Sequence, residues 1–109
     1  NTVFKLNTNR SYTYPVSLTI YDETGKEQTG KFTAKFKALP QDKLREMPAD
    51  SLLLDHVLIG VSELEVPGED GQPLQGEALL HAVKNDPAAS TALVTAYQES
   101  VSKKNRPRI

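Results

Sequence analysis

The chain contains no cysteine, which excludes disulfides, thiolate metal sites and thiol chemistry from it. A reducing cytoplasm fits that usage. Long hydrophobic runs are missing as well. No run exceeds three residues, as at 52–54 and 57–59, against the roughly 20 that a membrane-spanning helix needs. No signal-peptide pattern is visible, although the chain opens on Asn1 rather than Met, which predicts residues before it. An excess of one charge is also lacking. The formal net charge of -1 argues against a general nucleic-acid binder, whose footprint is basic.

What is there fits one globular domain over residues 1–109, with 38% hydrophobic and 25% charged residues and a modest margin for a core. The N-terminal third alternates with period two. Tyr12, Tyr14, Val16, Leu18 and Ile20 share one parity, and Thr13, Pro15, Ser17 and Thr19 the other. That is the mark of a strand with one buried face. Turn residues Asp22-Glu23-Thr24-Gly25-Lys26 follow. A second alternating run then sets Phe32, Ala34, Phe36 and Ala38 against Lys31, Thr33, Lys35 and Lys37. The pair predicts an antiparallel hairpin. Phe4 and Leu6 are candidates for a third strand at its edge. Pro15 has no amide donor, so its strand is expected at an edge or bulged there.

From Pro40 the period changes. Pro40, Leu44 and Met47 suggest a short helix ended by Pro48. Asp50 or Ser51 is the expected cap of a second helix, with Leu53, Leu54, Val57 and Leu58 on one stripe and Gly60 as its stop. Residues 61–66 read as an isolated strand or the start of a loop, and 67–73 as a loop rich in turn formers. A helix is expected from about Glu77 to Lys84. Asp86-Pro87 then signals the start of the last helix, which should bury Ala89, Leu93, Ala96, Tyr97 and Val101 and fray near 103–105. The predicted fold class is α+β: an N-terminal antiparallel β-hairpin or small sheet (1–39) packed against about four C-terminal α-helices (40–105). The helices supply the only apolar cover for the even-numbered hairpin face.

The chemistry-bearing residues do not assemble into a known reaction motif. His56 and His81 lie in apolar helices with no spacing that implies a shared metal, and read as surface or boundary residues. The acidic loop Glu69-Asp70-Gly71, near Glu63 and Glu65, departs from a calcium loop at Gln72, Pro73 and Leu74. The Gly25-Lys26 and Gly30-Lys31 pairs lead into a strand, not the helix that a phosphate loop requires. No Gly-x-Ser-x-Gly elbow occurs. Asp22 and Glu23 sit on a turn open to water. The expectation is a protein-binding domain, not an enzyme, with no metal or cofactor and no catalytic residues.

The order of segments resembles the small tail assembly chaperones of long-tailed (siphophage-like) bacteriophages and prophages. A strand pair ends in an aromatic-x-Ala-x-Phe-x-x-Leu-like segment, here Phe32-Thr33-Ala34-Lys35-Phe36-Lys37-Ala38-Leu39. A leucine-rich helix leads to a Val-x-x-Gly-like turn, Val57-Leu58-Ile59-Gly60, and to the acidic loop Glu69-Asp70-Gly71-Gln72-Pro73. Two helices close the chain, with Ala92, Ala96-Tyr97 and the basic Lys104-Asn105. The likeness covers nearly the whole chain through packing and turn motifs. It departs where such chains often carry tryptophan after the glycine; here Val61 stands.

The resemblance implies a protein that holds the tape-measure protein soluble in the host cytoplasm, recruits tail-tube subunits around it, and leaves before the virion is complete. Alternatives are a structural minor tail component and a small regulatory or nucleic-acid-binding module using Lys31, Lys35, Lys37 and the basic tail. Self-association is expected, because coating a long client favours neighbour contacts. The candidate interaction residues are Tyr12, Tyr14, Tyr21, Leu52, Leu53, Val57 and Ile59. Lys103, Lys104, Arg106 and Arg108 are candidates for an electrostatic contact; their other reading is a solvated tail complementing a helix dipole.

Overall fold

The computed structural model describes residues 2–48 and 52–102. Strands β1 (Ser11–Tyr21) and β2 (Glu27–Lys37) form the expected hairpin, with Val16 opposite Phe32 and Tyr12 opposite Phe36. The turn is built by Asp22. Its Oδ1 accepts from the Thr24 amide (2.9 Å), the Thr24 hydroxyl (2.6 Å) and the Lys26 amide (3.0 Å). Gly25 takes φ +83° there, a conformation that favours glycine.

Two bonds fix the phase of the ladder: the Asp22 amide to the Lys26 carbonyl and the Ala38 amide to the Arg10 carbonyl, both 3.0 Å. Even-numbered β1 residues therefore form the hydrogen-bonded pairs, and the backbone groups of odd ones point away from β2. Pro15 is odd and β1 is an edge strand in the order β1-β2-β3. Its missing donor thus costs the ladder nothing, as its place at an edge predicted.

The third strand is not the one expected. Phe4 and Leu6 are 86% and 64% exposed and lie outside the sheet. The Asn7 side chain and carbonyl bind the Asn9 amide and the Arg10 side chain, turning the chain before pairing begins. The free edge of β2 is taken instead by β3 (Leu58–Ser62). Helix α1 (Gln41–Glu46) ends before Pro48 as expected. Helix α2 (Leu53–Val57) stops at Val57, not Gly60, because pairing with β2 captures the next residues. A bulge at this pairing sets Leu58 opposite Phe36 and Gly60 opposite Lys35, so Leu58 and Val61 both pack inward despite their odd spacing. The proposed caps Asp50 and Ser51 lie outside the described residues.

Helices α3 (Gly76–Asn85) and α4 (Pro87–Ser102) complete the helical layer. The Asp86 carboxylate accepts from the Ala89 amide at 2.9 Å, the side-chain cap its sequence announced. The core joins Val16, Phe32, Ala34 and Phe36 of the sheet to Leu54, Val57, Leu58, Val83, Ala89, Leu93, Ala96 and Tyr97. The even face of the hairpin is thus the covered one. Burial fades toward the hairpin tip: Val16 is 1% exposed and Ile20 42%, because the strands outrun the helices. Val101 was expected in the core and is 48% exposed. The last turn of α4 faces an open groove.

Candidate protein-interaction surfaces

Parity places the tyrosines first. Tyr12 and Tyr14 are on the even face and pack against the core, whereas odd-numbered Tyr21 is 68% exposed. The Phe36 ring meets Tyr12 on one side, with centroids 6.0 Å apart, and Tyr97 on the other. The Tyr12 hydroxyl lies 2.7 Å from Ser100 Oγ, and Ser100 donates to the Tyr97 carbonyl at 2.7 Å. With the serine proton so used, Tyr12 is the donor in the first bond. Burial raises the Tyr97 phenol above its ordinary range, and the nearby Tyr12 adds to this.

This cluster floors a groove of about 440 Å³ between the start of β1, helix α1 and the end of α4. Arg10, Leu39, Leu44 and Val101 form its walls. The groove is not legible in the residues alone, since its lining comes from three stretches far apart along the chain; only the tyrosine pattern touches it. Helix α1 buries no residue completely, so this wall is held lightly.

Of the candidates around α2, Leu52 is 54% and Ile59 45% exposed. Leu53 is half-buried against the core. Val57 is fully buried and cannot meet a partner; its place on the apolar stripe made it a core residue. Lys103, Lys104, Arg106 and Arg108 lie outside the described residues, as does the expected fraying at 103–105.

His56 and His81 are both exposed. His81 meets Asn85 one turn on, at 2.9 Å, and belongs to a local helix contact. Among the described residues, no three His, Asp or Glu side chains converge as metal ligands. The Asp22 carboxyl has a structural role: the Thr24 hydroxyl, then the Lys26 amide, lower its pKa. No described helix is long and apolar enough to cross a membrane.

No protein family, characterised protein or solved structure matches this chain.

Proposed function

We propose that the protein is a tail assembly chaperone of a long-tailed bacteriophage or prophage. It binds the tape-measure protein in the host cytoplasm, keeps it soluble, recruits tail-tube subunits and departs before the particle is finished. The observation that carries this reading is surplus apolar surface. The core closes without Leu52, Ile59, Ile20 or Val101, yet each is at least 42% exposed, and a groove opens beside Val101. Exposed aliphatic residues, together with an open groove, suit reversible contact with an aggregation-prone helical client. The resemblance in the order of motifs along the chain supports the tape-measure protein as that client.

Residence in the particle separates this reading from a structural tail component. Purified virions should contain tape-measure and tube proteins but not this chain, by peptide mass spectrometry. Stoichiometric recovery from virions would replace the chaperone reading with the structural one.

A further inference from the structure

The charges are segregated along the chain. Residues 1–37 carry six Lys or Arg against three carboxylates, whereas residues 46–83 carry eight carboxylates and no Lys or Arg. Folding turns this pattern into two surfaces. The helices cover one face of the sheet and leave the other open. On the open face Lys31, Lys35 and Lys37 stand in a row along β2. Their cross-strand neighbours on β1 are Ser17, Thr13 and Ser11, and Gly60 of β3 flanks Lys35. All three lysines are exposed, and none pairs with a carboxylate among the described residues, where the ion pairs are Lys43–Glu46 and Lys84–Asp55. Glu27 stands on the same face of β2 four residues before Lys31, where it accepts from the Tyr21 hydroxyl, and Glu63 reaches the border of the face, where it accepts from the Thr33 hydroxyl at 2.9 Å. Lys35 and Lys37, two residues apart on one strand (about 7 Å), lie within a Debye length (about 8 Å at physiological salt) and repel each other. Lys31 extends the row by about 13 Å, and an acidic partner relieves the repulsion.

The same chain carries such a partner. The loop after β3 is a stiff turn, not a loose acidic segment. The Leu74 amide binds the Val66 carbonyl (2.8 Å), Gly68 binds Gln72 (2.7 Å), and Gly71 returns to Gly68 (3.0 Å). At Gly68 an added Cβ would lie 3.0 Å from the Leu74 side chain and 3.1 Å from the Gln72 carbonyl, so a side chain there would crowd the closed turn. It presents Glu69 and Asp70 at its tip and Glu65 near its base, all exposed. We infer that the open sheet face of one copy, through Lys31, Lys35 and Lys37, receives the 65–70 acidic turn of a second copy. Stacking sheet face on sheet face would set lysine against lysine, so the row meets the turn, either reciprocally in a dimer or head to tail. A head-to-tail contact propagates into a ring or an open row, an arrangement that suits coating a long client.

This inference rests on the self-association named above and needs no client for its test. Sedimentation velocity of the purified, nuclease-treated chain is measured over a concentration series at about 50 and 500 mM salt. Association is expected at low salt and should weaken at least tenfold at high salt, as for contacts carried by exposed charges. Lys31→Glu/Lys35→Glu/Lys37→Glu and, separately, Glu65→Lys/Glu69→Lys/Asp70→Lys should each be monomeric with an unchanged melting temperature, because every position is exposed. Mixing the two variants should restore association, since each supplies the surface that the other needs. A wild type that is monomeric at both salts, undiminished association of the triple-glutamate variant, or a mixture that stays monomeric overturns the inference. So does a lysine row whose only partner is nucleic acid, seen as salt-sensitive binding to an oligonucleotide with no association of the chain alone. A monomer that still keeps the tape-measure protein soluble would overturn this contact and leave the chaperone reading standing.

Discussion

The rings of Phe36 and Tyr97 meet edge to face, with centroids 5.4 Å apart and planes at 73°. The contact joins the central strand to the last helix and locks the two layers at one point. Phe36 is fully buried, so Phe36→Ala should cost about 3–5 kcal/mol, by lost transfer energy and the cavity left behind. Urea denaturation measures this. A loss below about 1 kcal/mol would mean that the layers slide to fill the space.

Beside that pair, the chain from Tyr12 through Ser100 to the Tyr97 carbonyl ties the first strand to α4. Tyr12→Phe and Ser100→Ala should each cost about 0.5–1.5 kcal/mol. The double variant should lose clearly less than the sum of the two, because both changes remove the same bond. Full additivity would show that the hydroxyls do not share it.

The Asp86 cap offers a cleaner local test. Asp86→Ala removes the acceptor for the Ala89 amide and should destabilise by about 1 kcal/mol. Asp86→Asn, which keeps the acceptor, should recover most of that loss in thermal unfolding.

Much of this fold could be read from the residues. Period-two alternation from Tyr12 to Ile20 and from Phe32 to Ala38 gave the hairpin and its buried face. Asp86-Pro87 gave the last helix to the residue. What escaped was the pairing that depends on a partner. Leu53, Leu54, Val57 and Leu58 satisfy a helical stripe, and nothing local announces that β2 will claim Leu58. The bulge hides the alternation of Leu58 and Val61, and the turn at Asn7 leaves Phe4 and Leu6 outside the sheet. The interaction candidates divide the same way. Exposure of Leu52, Ile59 and Tyr21 follows from surplus apolar pattern, whereas the groove beside Tyr12 exists only once β1, α1 and α4 converge.

The hairpin turn should respond to acid. The folded-state pKa of Asp22 is lowered, by the Thr24 hydroxyl first and the Lys26 amide next. Its contribution is therefore present above the unfolded-state pKa and lost as pH falls through the folded-state value. Carboxyl chemical shifts against pH should place Asp22 below the ordinary aspartate value. Asp22→Asn should flatten part of the acid-side decline in melting temperature. An Asp22 that titrates in the ordinary carboxylate range would remove the turn from the acid response.

The proposed function is tested most directly by the solubility of the client. Under the proposed function, the tape-measure protein encoded beside this chain is expressed alone, with the wild type, and with Leu52→Asp/Ile59→Asp, and its soluble fraction is measured. Both substituted positions are about half exposed, so the variant should keep its fold and melting temperature. The wild type should hold the tape-measure protein in the soluble fraction and co-purify with it, and the variant should lose most of both. A tape-measure protein that remains insoluble with the wild type, or stays soluble to the same extent without it, would contradict the chaperone reading.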